Sequence, residues 1–329
     1  MTASPGVSIL ERSVLGSRPV TAASEIDVLV EEIAELRPLP PIAAQVLQIA
    51  EGDHFSAHEL AQAISSDPAL TARVLRVANS AYYGFPRRIT TIRDAVVLLG
   101  FRQVRSTLFA TTAMRTLPAY EGIEAFAFWR HSVAVGVLAG LLARAEGTHQ
   151  EEAFTAGVLH NVGRLALEQA RPAEFRRARA MAADESIPLH EAEQRLFGFT
   201  DAELGGRLAL RWGFPPALAS AIAEHGASPA TFEDLASLPA LVARARAFAA
   251  SHGISDGAEP PSCPSRRAAM STFSASMAVM SPDDLPRPAM PCGSAAVEDA
   301  LEVLVAEQGG LGVVLDRAAA FVEHTASGA

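Results

Sequence analysis

From Glu25 to about Ser251, apolar residues recur at spacings of three and four almost without interruption, and no convincing strand-like alternation breaks the pattern. Val28, Ile33 and Leu36 open the series, and Ile42, Val46, Leu47 and Ile49 carry it on. A chain patterned in this way buries helix against helix, so the predicted class is all-α. The interruptions coincide with turn chemistry at Pro38-Leu39-Pro40-Pro41, Gly52-Asp53, Asp67-Pro68, Gly84 to Arg88, Gly100 and Pro118. Thr91, with Asp94 three residues later, fits a capping box that opens a helix running through Leu99.

Beyond residue 123 the periodicity predicts helices over 124–146, 151–169, 172–185, 189–197, 201–212, 215–225 and 234–252. The expected organisation is a flexible N-terminus over 1–24 and a helical domain over 25–252, divided into subdomains at 25–118 and 119–252. Residues 255–294 carry seven prolines and eight serines, so 253–294 is predicted to be a disordered linker. Amphipathic helices return within 295–329, over 295–308 and 311–324, to dock either on the body or on a partner.

Composition removes several function classes. The chain has 329 residues and a formal net charge of −10, which argues against a nucleic-acid coat or an anionic membrane as main partner. All 27 basic residues are arginine, so no lysine Schiff base and no P-loop lysine exists. Cys263 and Cys292 are too few for a disulfide framework or a cysteine-type zinc site. The N-terminus lacks a signal-peptide pattern, and the best apolar run, 133–143, is too short to span a bilayer. A soluble, cytoplasmic protein is expected.

No nucleophile elbow, phosphate-binding loop or H-E-x-x-H pair is present. The histidines carry the chemical signal instead: His131 in FWRHSVAVG, His160 in AGVLHNVGRLAL and His225 in AIAEHG. A single histidine on an apolar helix face is most often a satisfied core residue. Three in this order point to one shared pocket.

Five stretches occur in order: LRPLPPIAAQVLQIA, SSDPALTARVLRVANSAYYGFPRRITTIRDAVVLLG, FWRHSVAVGVLA, AFTAGVLHNVGRLAL and ELGGRLALRWGFPPALASAIAEHG. Together, from Arg37 to about Gly226, they resemble the HDOD domain, the HD-related output domain of bacterial signalling proteins. That resemblance implies a helical N-terminal subdomain packed on a second subdomain related to HD phosphohydrolases. It matches His131 to the first metal-binding histidine of active HD enzymes, and His160 to the histidine of the His-Asp pair. Asn161 stands where that pair has its aspartate, Asp201 where a histidine is common, Gly226 where a second histidine often follows His225, and Arg246 near a late aspartate.

A neutral amide binds a hard divalent ion much more weakly than a carboxylate, and a nearby guanidinium repels it. The resemblance therefore implies a vestigial pocket of His131, His160, Asn161, Asp201 and His225, with no catalytic residue and no cofactor expected. A divalent metal, if held at all, would take His131, His160, Asp201 and His225 as ligands.

Between residues 73 and 115 lies a local reversal of charge. Arg73, Arg76, Arg87, Arg88, Arg93, Arg102 and Arg105 make a candidate interaction surface for an acidic protein or a phosphate-bearing ligand. Part of it, ELAQAISSDPALTARVLRVAN, has the look of a helix-turn-helix with Arg73 and Arg76 on its second helix, yet it falls within the HDOD-like signature. The expected function is a non-catalytic signal-transduction module acting in trans on signalling proteins, with a small nucleotide ligand as modulator and neither membrane nor nucleic acid as partner. The alternative is a metal-dependent phosphohydrolase acting on a nucleotide or cyclic dinucleotide.

Overall fold

The computed structural model describes residues 22–36, 57–116, 124–256 and 295–326, and within these there are helices, turns and no strand. The fold is all-α. The expected breaks at Pro38–Pro41, Gly52-Asp53 and Pro118, the N-terminus up to residue 21 and most of the expected linker lie outside the described residues.

Helix α1 (Ala22–Leu36) is followed by α2 (Ala57–Ser65), α3 (Pro68–Ala78), α4 (Ile92–Leu99) and α5 (Phe101–Thr116). Asp67 caps α3 by accepting from the amides of Ala69 and Leu70, with Pro68 at the first helical position, where a missing N–H does no harm. Thr91 Oγ1 accepts from Asp94 N and starts α4. Gly100, at φ 87°, turns the chain into α5 through a conformation that a β-carbon would oppose. Asn79 ties the end of α3 to the next loop: Nδ2 donates to Ile89 O and Oδ1 accepts from Ile89 N, at 2.7 and 2.6 Å.

Helices α6 (Ala125–Ala145), α7 (Gln150–Leu159) and α8 (Val162–Ala170) form the centre. They are followed by α9 (Pro172–Glu185), α10 (Leu189–Phe197), α11 (Asp201–Arg211), α12 (Pro216–Glu224) and α13 (Leu238–Ser251). The single helix expected over 151–169 is two helices, broken at His160-Asn161. The break matters because consecutive residues on one helix diverge by about 100°, whereas a break lets both side chains turn toward the same buried region.

Length and composition make α6 capable of crossing a membrane, a longer apolar helix than the 133–143 run suggested, but 72% of its best window is buried inside the protein. Its glycines allow the tightest contact in the centre. A Cβ added at Gly157 would lie 2.5 Å from the Cα of Gly136, so α6 and α7 touch backbone to backbone.

Among the described residues, the main packing of helix α1 is against α11 and α8, in the second group of helices, whereas the sequence grouped it with α2–α5. Ion pairs of Asp27 with Arg207, Glu31 with Arg211 (2.8 Å) and Glu32 with Arg171 (3.0 Å) line that seam. The C-terminal pair, α14 (Ala295–Glu307) and α15 (Leu311–Ala326), docks on the body against α6, α3 and α13. Phe321 is fully buried there, edge-on to Tyr82 at 5.3 Å and to Phe154 at 5.9 Å.

Candidate functional site

The three histidines come from α6, the end of α7 and the end of α12. His131, His160 and His225 are 6%, 0% and 2% exposed, with ring centroids 5.3 Å apart for His131 and His160 and 4.9 Å for His160 and His225. Each Nδ1 meets a backbone carbonyl: His131 that of Ile254 at 2.9 Å, His160 that of Gly157 at 2.6 Å and His225 that of Ile222 at 2.8 Å. A carbonyl only accepts, so each Nδ1 carries the proton and each Nε2 presents its lone pair. His160 Nε2 is buried without a hydrogen-bond partner.

All three imidazoles are held neutral. Burial pushes each below its ordinary value. At His160 the other two rings add to the effect, and at His225, brought down to about 4, Arg246 does so.

Beside the rings lies a buried ionic network. Asp201 opens α11, where Thr200 and Glu203 form a reciprocal capping box. Arg164, on α8, donates from Nε to Asp201 Oδ2 at 2.6 Å and from Nη1 to Asp256 Oδ2. Asn161 Nδ2 donates to the same Asp256 oxygen at 3.1 Å. The Asp201 amide donates to Glu193 Oε2 at 2.9 Å.

Burial opposes the charge on Asp201, but Arg164, His225 and Arg246 outweigh it and hold the carboxyl below its usual range. Glu193, buried with Asp201 as its neighbour, is pushed up to about 9 and stays protonated at neutral pH. One carboxylate and one carboxylic acid thus sit side by side.

His131, His160, Asn161, Asp201 and His225, the side chains expected to share a pocket, are all buried in one region. Arg246 acts on all three histidines and on Asp201. Sequence reasoning missed Arg164, Glu193 and Asp256. Arg164 left a readable signal, a charge inside the apolar run VGRLAL, one helical turn after Asn161. Asp256 left none, because it falls in the stretch assigned to the linker. That assignment is corrected over 253–256: Ile254 is 6% and Asp256 5% exposed, and both bond into the pocket.

Of the expected basic surface, Arg73 does not belong to it. It lies on the same stripe of α3 as Leu70, Val74 and Val77 and is only 7% exposed, facing the core, so the helix-turn-helix reading loses its first reading residue. Arg76 and Arg105 are half-buried, the latter 3.8 Å from Glu152. Arg87, Arg88, Arg93 and Arg102 are exposed.

The HDOD domain family model matches residues 36–228, more than half of the chain. This chain belongs to the HDOD domain family. A Geobacter sulfurreducens HDOD domain protein of unknown function shares 25% identity and superposes with a TM-score of 0.67, over 92% of this chain and 99% of that one. A Shewanella amazonensis protein provisionally named a phosphohydrolase shares 28% identity at a TM-score of 0.64, over 89% and 98%. A Treponema pallidum (strain Nichols) protein with no assigned function is 27% identical over 217 residues, 65% of this chain and 42% of its own length. The chain thus spans less than half of that relative.

The divalent metal of active HD enzymes does not fit the donors of this HDOD pocket. Among the described residues no group of three histidine, cysteine, aspartate or glutamate side chains is placed to hold an ion. Asp201 is engaged by a guanidinium, Asn161 offers a neutral amide, and Arg164 and Arg246 both bring positive charge to the region.

Proposed function

We propose that this HDOD chain is a non-catalytic module of bacterial signal transduction that works in the cytoplasm, docking in trans on an acidic partner protein through the face around α4. One observation carries the reading. On α4, Arg93, Asp94, Val97 and Leu98 form the outward stripe, and Val97 is 75% exposed. Around it, among the described residues, Arg87 and Arg88 have no ion pair, while Arg93 and Arg102 meet only imidazole nitrogens, of His58 at 3.4 Å and His149 at 2.6 Å. Elsewhere Arg171, Arg195, Arg207 and Arg211 each reach a carboxylate. Guanidinium groups without carboxylates around an exposed apolar pair complement an amphipathic helix with acidic flanks.

A fluorescent amphipathic peptide with paired glutamates beside a leucine stripe, and a scrambled control, test this reading by anisotropy. The wild type binds the ordered peptide in a salt-sensitive manner, and a variant with Arg87, Arg88, Arg93 and Arg102 changed to glutamate does not. Equal binding by both proteins, or none by either, removes the proposal.

The alternative, a metal-dependent phosphohydrolase, draws on the three retained histidines and the name of the Shewanella relative. It expects manganese-dependent turnover of a nucleotide or cyclic dinucleotide that is lost in His160→Ala.

A further inference from the structure

We infer that Arg164 is the resident cation of the buried pocket, its guanidinium joining Asp201 and Asp256 as a metal ion would join two carboxylates. The geometry is specific. Arg164, Asp201 and Asp256 are 3%, 3% and 5% exposed, and two separate nitrogens of one guanidinium each take a different carboxylate. The charge of Asp201 is felt at His225 and that of Asp256 at His131. Two carboxylates flanked by neutral imidazoles are a cation site by chemistry. The chain fills it from α8.

Asn161 belongs to the same solution. Its Nδ2 donates to the very oxygen of Asp256 that Arg164 holds. An aspartate at 161 would set a carboxylate against the Asp256 oxygen to which the Asn161 amide now donates, replacing a hydrogen bond with like-charge repulsion in a buried site. The neutral amide, the arginine one turn later and the aspartate supplied by the chain after α13 are therefore one interdependent set. The inference does not rest on the α4 docking face, and either stands if the other fails.

Arg164→Gly tests it, with thermal unfolding of the full chain followed in methylguanidinium and in methylammonium. The glycine variant melts well below the wild type. Methylguanidinium raises its Tm while leaving the wild type unmoved, and methylammonium does less because it is a single point donor. A variant as stable as the wild type, or an equal response of both proteins, overturns the inference. Should Arg164→Gly not fold, Asn161→Asp gives an independent reading. It is destabilised relative to wild type at neutral pH and recovers toward wild type as the pH is lowered enough to protonate the added carboxyl. Wild-type stability of Asn161→Asp at neutral pH also overturns the inference.

Discussion

Arg164 Nε donates to Asp201 Oδ2 at 2.6 Å with both side chains withdrawn from water. The contact joins α8 to the first turn of α11, where the helix dipole also favours a negative charge. It accounts for the asymmetry of the neighbouring acids: Asp201 keeps its charge, and Glu193, with no guanidinium of its own bonded to it, keeps its proton.

Because buried pairs are expensive to break from one side, Asp256→Asn is expected to destabilise the chain by about 3 kcal/mol. Arg195→Ala, which removes the exposed pairs to Glu185 and Glu191, is expected to change stability by less than about 1 kcal/mol. Urea unfolding of the two variants measures the contrast.

Stability has its maximum at mildly acidic to neutral pH. An unfolded histidine takes up a proton near 6.5, whereas His225 in the fold resists protonation to about 4 and His131 and His160 are also depressed. The histidines' contribution to stability is therefore complete above 6.5 and falls as pH drops through this window, by up to about 1.4 kcal/mol per pH unit per histidine. Glu193 has the opposite sign: the fold retains its proton to about 9 while the unfolded chain releases it near 4.5, so stability declines as pH rises between these values. Glu193→Gln keeps the neutral, hydrogen-bonding form and removes the alkaline decline. Denaturation midpoints across pH read both limbs.

Much of the fold was legible because the helix boundaries are written in local chemistry. The expected helices over 172–185 and 189–197 match α9 and α10 to the residue, since proline and glycine mark their ends. The break at His160-Asn161 was not legible: Val158, Leu159, Val162 and Leu165 keep helical spacing across it, and the reason for the kink is tertiary. The pocket histidines were visible as polar interruptions of apolar faces. Their counter-charges were not, because Glu193 sits in an ordinary amphipathic helix and Asp256 reaches the pocket from 92 residues beyond Arg164 in sequence.

The approach of α8 to α11 depends on Gly163. A Cβ there would lie 1.9 Å from Asp201 O and 2.5 Å from Gly205 N, both backbone atoms that cannot step aside. Gly163→Ala is expected to lose soluble, folded protein, whereas Gly226→Ala, with open space around it, stays within about 0.5 kcal/mol of wild type. Expression yield and circular dichroism separate the outcomes.

The docking of α14 and α15 rests on Phe321 in the Tyr82–Phe154 cluster. Phe321→Ala removes a fully buried ring at a cost of about 3–5 kcal/mol. Hydrogen exchange is expected to rise first in α14 and α15, ahead of α6.

With Arg164 as the cation between Asp201 and Asp256, the buried site has no room for a metal ion. Elemental mass spectrometry of the purified full chain, after exposure to manganese and zinc and removal of excess, tests it most directly. No stoichiometric metal is expected in the wild type and none in His160→Ala. One equivalent of metal per wild-type chain, lost in His160→Ala, would contradict it.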